Sequence, residues 1–129
     1  MAGVVVPAYA ETQPVKKVTL TWTSSAGGAA DFTTKALNGV LLAVEFVPGS
    51  GGSQPTDDYD VHINDTQGLD VLRNLGVDLD NATSQFYVPA IMNGAAGAVG
   101  SLVPIEGPLT LAVTGAGNTK SGSIYLFIR

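Results

Sequence analysis

The sequence predicts an all-β chain: a single antiparallel β-sandwich or jelly roll of roughly eight strands. Three observations carry this. Apolar and polar residues alternate through most of the readable segments, as in half-buried strands. Turn-forming Gly, Pro, Asn and Asp clusters recur between those segments at short intervals. No stretch keeps helical spacing for more than a turn or two. The alternation is clearest at the end of the chain. Leu109, Leu111 and Val113 share one face of a strand, residues 114–122 are small or polar, and Ile124, Leu126 and Ile128 share one face of a last strand ending at Arg129. Tyr125 and Phe127 make the other face of that strand apolar too. A strand apolar on both faces is generally covered on both. In a chain of 129 residues the second cover is expected to be another protein chain.

The elements follow in order. Residues 1–14 read as an extended arm, because Pro7 and Pro14 disfavour helix and hold the backbone extended. A disordered tail is the commoner fate of a terminus, but Val4, Val5, Val6 and Tyr9 give the segment apolar side chains with which to dock. This apolar run is too short for a secretory signal, is broken by Pro7, and has no Lys or Arg before it. Residues 15–129 are then the sandwich. Val18, Leu20 and Trp22 alternate with Thr19, Thr21 and Thr23, a strand with a β-branched polar face. Phe32–Leu37 and Val40–Val47 flank Asn38-Gly39, a dipeptide suited to the positive φ of a two-residue hairpin turn. Pro48–Pro55 is a Gly/Ser-rich loop. Tyr59, Val61 and Ile63 alternate with Asp58, Asp60, His62 and Asn64. Asp65–Gly68 reads as a turn into a short run, Leu69–Leu72. Residues 73–83 give mixed signals, with room for one helical turn at Val71–Leu75. Gln85–Ala90 reads as a strand carrying Phe86 and Val88. Residues 94–100 are a Gly/Ala linker, Leu102–Ile105 a short strand, and Glu106-Gly107-Pro108 a turn before the closing hairpin.

Composition bounds the function. The chain is 45% hydrophobic and only 13% charged, against a usual charged share of roughly 25%. So thin a polar coat is relieved by burial against a neighbour. The net charge of −5 and six scattered basic residues disfavour a grip on nucleic acid, which needs clustered Lys and Arg. No stretch approaches the length of a membrane span, so no membrane partner is expected. The absence of cysteine excludes disulfides, thiolate metal sites and cysteine nucleophiles.

No reactive constellation stands out, and the expected catalytic, cofactor and metal sets are empty. His62 is the sole histidine. It falls on the polar face of its strand, with no nominated nucleophile or acid beside it, and reads as a surface residue. Asp57, Asp58, Asp60 and Asp65, with Asp70 nearby, form the best cation candidate, but their spacing is not that of an EF-hand loop. Turn-forming aspartates on a solvated strand are the simpler reading, and Asp78 and Asp80 are read likewise. Trp22 with Tyr9, Tyr59, Tyr87 and Tyr125 could stack on sugars, yet Trp22 is in phase with Val18 and Leu20 and reads as core. The Gly-rich stretches 49–52 and 94–100 lack the Lys and strand-to-helix context of a phosphate loop.

Several phrases carry a resemblance. Val18–Thr23, Val44–Pro48 with Gln54–Val61, Gly107–Thr114 and Lys120–Arg129 look like segments of short virion structural proteins of tailed bacteriophages, and the likeness spans most of the chain after the arm. It implies a small β-sandwich that coats or cements a capsid, or sits in the tail machinery. It brings no functional residues with it. The expectation is a non-enzymatic capsid decoration or cement subunit of a phage particle, assembled in the host cytoplasm. Its partners would be the major capsid protein or other virion proteins, and further copies of itself. The interface would include Val4, Val5, Val6, Tyr9, Tyr125 and Phe127. Alternatives are a tail or head–tail connector component, or a carbohydrate- or receptor-binding sandwich that would expose Trp22 or Tyr59.

Overall fold

Seven strands form one antiparallel sheet in the computed structural model, which describes residues 14–91 and 100–129. They are β1 (Lys16–Thr23), β2 (Ala30–Pro48), β3 (Asp60–Asn64), β4 (Gln85–Tyr87), β5 (Ala90–Ile91), β6 (Ser101–Thr114) and β7 (Ser121–Ile128). The sheet runs β1-β7-β2-β6-β3, with β4 added beside β2 and β5 beside β6. The all-β antiparallel class expected from the alternation is therefore the class observed. The sheet is not closed, because no ladder joins its end strands β1 and β3. Yet Trp22 of β1 and Tyr59, just before β3, meet with ring centroids 5.6 Å apart. Residues from opposite ends of the strand order thus touch, so the sheet curls over one interior.

That interior is a single cluster. Leu20 and Trp22 enter it from β1, Leu41, Val44 and Phe46 from β2, Val61 and Ile63 from β3, and Val103 and Ile105 from β6. Leu109, Leu111 and Val113 on β6 and Ile124, Leu126 and Ile128 on β7 are each 0–2% exposed, the faces the alternation assigned. A side-chain period of two places each set on one side of its strand. At about 25 cal/mol per Å2 of apolar surface removed from water, this cluster is the main stabilising term.

Two expected turns are not turns. Asn38-Gly39 lies inside the 19-residue β2, and Glu106-Gly107-Pro108 lies inside the 14-residue β6. The two segments face each other across one ladder, Asn38 opposite Glu106 and Leu37 opposite Gly107. The backbone requirement was real: Gly39 has φ +141° and Gly107 φ +83°. The chain uses it to bend a long two-stranded ribbon rather than to reverse direction, and a bulge between Thr33 and Ala36 adds to the bend. Gly39 has a second reason to lack a side chain. A Cβ there would lie 2.7 Å from the carbonyl oxygen of Arg129, where the end of the chain pairs with Val40 through bonds of 2.9 and 3.0 Å. Merging two expected hairpins into one ribbon brings the strand count below eight.

The segment after β3 folds as tandem turns rather than the helical turn expected at Val71–Leu75. Arg73 N–H donates to Asp70 C=O and Leu75 N–H to Leu72 C=O, while Arg73 and Asn74 take φ of 53° and 66°, outside the helical region. Of the alternating Leu75, Val77 and Leu79, only Leu79 is fully buried; Val77 is exposed. The expected arm lies outside the described residues apart from Pro14, and so does residue range 94–99 of the Gly/Ala linker.

Candidate functional site

The outer face of the β1-β7-β2-β4 half-sheet carries the feature that most needs an explanation. On β7 the residues out of phase with the core are Ser121, Ser123, Tyr125 and Phe127, all half-buried. In register beside them lie Lys17 and Thr19 of β1, opposite Phe127 and Tyr125, and Ala43 and Glu45 of β2, opposite the same two residues. Beyond Glu45 stands Phe86 of β4. The rings of Phe86 and Phe127 meet across β2 with centroids 5.9 Å apart, and Ala43 beside Phe127 is only 7% exposed. Phe86 remains 59% exposed, Val88 two residues later 57%, and Val15 just before β1 55%. Lys17 holds its ammonium 4.1 Å from the Tyr125 ring centroid, a cation–π contact worth about 0.5–1 kcal/mol at an exposed site. The result is an aromatic strip with a basic border.

Of the interface residues expected from the sequence, Tyr125 and Phe127 stand on this strip. Val4, Val5, Val6 and Tyr9 lie outside the described residues. Sequence reading missed Phe86 as a member of the strip, although its strand was expected. The pairing of β4 with β2, which brings Phe86 against Phe127, is a long-range event that no local pattern announces.

The acidic cluster has a structural role. Asp70 accepts hydrogen bonds from the N–H groups of Ile63, Leu72 and Asn74 at 3.0–3.2 Å, and its Oδ2 lies 3.3 Å from His62 Nδ1. Asp65 accepts from Gln67 and Leu69, Asp60 from Asp78, Asp57 from Asn81, and Asp80 from Ala82 and Thr83. These carboxylates satisfy loop amides and, at Ile63, an amide on the open margin of β3. Among the described residues no three His, Cys, Asp or Glu side chains converge as a metal site would require. Trp22 and Tyr59 are 3% and 1% exposed, so neither offers a surface on which a sugar could stack. Burial, with the Asp80 carboxylate adding to it, pushes the Tyr59 phenol up to about 12. Two shallow clefts, of about 130 and 230 Å3, lie at the β2 bend near Ala36–Asn38 and beside Asp65–Gln67. The second is lined by Thr66 with Asp65 and Glu106 but by no histidine or lysine.

No protein-family model matches the chain, and no curated protein matches it. Among solved structures it is similar to a serine protease of Aeromonas sobria, with 12% identity and a TM-score of 0.42 over 93% of this chain and 28% of that one. The same protease in complex with its chaperone, ORF2, gives 13% identity and a TM-score of 0.39 over 91% and 26%. The chain thus spans little more than a quarter of the length of these structures, and likeness at this level carries no functional argument.

Proposed function

We propose that this chain is a non-enzymatic virion structural subunit, a decoration or cement protein that stabilises a phage head through contacts with the major capsid protein. The observation that carries the reading is the Phe86–Phe127 strip with Val88, an apolar strip on the outer face of a sheet whose inner face is already filled. The resemblance of Val18–Thr23, Val44–Pro48 with Gln54–Val61, Gly107–Thr114 and Lys120–Arg129 to virion proteins is what suggests a capsid partner. The mechanism is adhesion. Fully covering a Phe side chain contributes roughly 1.5–3 kcal/mol, and such terms accumulate when many copies bind one particle. The carboxylates support the same reading, since they serve loop amides rather than converging on a substrate.

The test is co-sedimentation of the purified chain with phage heads that lack it. The expected result is saturable binding that weakens for Phe86→Ser and for a triple Val4→Ser, Val5→Ser, Val6→Ser variant. Failure of the unmodified chain to sediment with heads overturns the proposal.

A further inference from the structure

Among the described residues β3, β2 and β1 each leave a margin open, and those of β3 and β2 are blunted. The outer margin of β3 is covered by its own loop. Val61 N–H donates to Gly76 C=O at 2.6 Å, Val71 N–H to Ile63 C=O at 2.8 Å and Leu79 N–H to Tyr59 C=O at 2.9 Å. The part of β2 that runs beyond β7 is interrupted by the bulge between Thr33 and Ala36. Bulges and covering loops are how native sheets avoid edge-to-edge pairing.

Among the described residues the outer margin of β1 has neither device, and its charged guard is confined to Lys16 and Lys17 at its start. Its hydrogen bonding follows from one contact at the end of the ladder. Ser24 N–H donates to Lys120 C=O at 2.7 Å, which makes Ser24 and Lys120 a hydrogen-bonded pair. Antiparallel bonding alternates, so Lys16, Val18, Leu20 and Trp22 turn their backbone groups toward β7. Lys17, Thr19, Thr21 and Thr23 then turn theirs outward, and no described strand pairs with them. All four residues are exposed. Over eight residues the strand carries no Pro, no bulge and no acidic side chain.

We propose that β1 pairs antiparallel with β1 of a second copy of this chain, about a twofold axis at Leu20. The strand is self-complementary in that register. Thr19 faces the partner's Thr21, and Lys17 faces the partner's Thr23, so the outward-turned residues are the ones that exchange backbone bonds. On the outer face, paired threonines can hydrogen-bond, and no lysine meets a lysine; like charges directly opposite would oppose the pairing. On the inner side Val18 faces the partner's Trp22. The merged sheet is eight strands wide, β4-β2-β7-β1 from each copy, and its outer faces are continuous. The two Tyr125–Phe127 rows then lie about 14 Å apart at the usual strand spacing. This arrangement does not rest on the virion reading: it needs a second copy and nothing else.

Sedimentation velocity of the full chain tests it together with edge variants. The unmodified chain is expected to be a dimer at micromolar concentration, and a monomer there overturns the proposal. Thr21→Pro removes an outward N–H that the subunit does not use. It is expected to raise the dimer dissociation constant by at least about tenfold while far-ultraviolet circular dichroism stays unchanged. A folded Thr21→Pro chain that remains as dimeric overturns the proposal. Should that variant unfold, a Thr19→Lys, Thr21→Lys double variant decides instead by setting lysines opposite each other, and undiminished dimerisation would again overturn it. Register is read by disulfide formation, which is clean because the chain has no native cysteine. A mixture of Thr19→Cys and Thr21→Cys chains is expected to yield mostly the mixed dimer. Cross-linking no better in the mixture than in either variant alone would overturn the twofold register, as would happen if another segment occupied the edge.

Discussion

The β7 strand and the 65–84 loop are both ordered and both contribute to the interior, but different forces hold them. Ile124, Leu126 and Ile128 are fixed by apolar burial between β1 and β2. The loop inserts Val71, Leu72 and Leu79 into the same cluster, yet only isolated bonds such as those of Val71 and Leu79 tie its backbone to β3, and many of its other amides find side-chain carboxylates rather than a ladder. Apolar burial is non-directional and summed over many contacts. Carboxylate-to-amide bonds are few, directional and charge-assisted. The strand should therefore fail only when the whole sheet fails, whereas the loop should be able to open by itself.

The largest expected effect is on the strand side. Leu126 is wholly buried, with Val18 and Val44 beside it in register. Leu126→Ala should cost about 2–5 kcal/mol, because a cavity remains, and lower Tm by on the order of 10 °C. Thermal melts followed in the near and far ultraviolet check this, and the two signals should fall together. On the loop side, Asp70→Ala deprives the amides of Ile63, Leu72 and Asn74 of their acceptor. Orphaning the part-buried Ile63 and Leu72 amides costs about 1–3 kcal/mol, while the exposed Asn74 amide turns to water. Hydrogen exchange should speed up at Leu72 and Asn74 while the amides of β7 keep their protection. Equal loss of protection in both places would merge the two regions into one cooperative unit.

Tyr59 joins the two regions. Its ring packs on Trp22 of β1, and its carbonyl accepts a hydrogen bond from the Leu79 N–H of the loop. With its phenol pushed up from 10.0 to about 12 by burial and by Asp80, the fold keeps a proton that the unfolded chain has already released. The unfolded state binds fewer protons between those two values, so stability is unaffected below pH 10 and falls as pH rises toward 12. Urea midpoints measured from pH 8 to 12 should decline over the upper half of that range. In Tyr59→Phe the decline should shrink, and an unchanged decline would assign alkaline sensitivity to other groups.

How much of this was legible differs by region for a physical reason. The core faces of β6 and β7 could be read because burial imposes a period of two on consecutive residues. The burial of Trp22 followed from the same phase. Asn38-Gly39 and Glu106-Gly107-Pro108 misled because a local sequence encodes a backbone conformation, positive φ, and not its use. The same φ serves a hairpin reversal or a bend in a ribbon, and the choice is made by the partner strand many residues away. The loop could be read least, since Leu75, Val77 and Leu79 alternate without forming a strand. Its organiser is Asp70, whose four contacts depend on the placement of β3. For the candidate site, Tyr125 and Phe127 were visible as the second apolar face of a strand, whereas Phe86 joined them only through the β2–β4 pairing.

The smallest expected effect on the subunit, and the sharpest test of the contrast, is on the outer face. Phe86 is more than half exposed, and its main aromatic contact is Phe127. Phe86→Ser removes one edge of an aromatic pair worth about 0.5–1.5 kcal/mol beyond area burial and leaves no enclosed cavity. Its Tm should move by a few degrees at most, far less than that of Leu126→Ala. If the outer face is an adhesive surface, the same substitution should weaken binding to heads more than it weakens the fold, so that folding and attachment separate on opposite sides of one half-sheet. A Tm loss for Phe86→Ser as large as that for Leu126→Ala would place Phe86 in the fold's own core, and the strip would then need no partner to explain it.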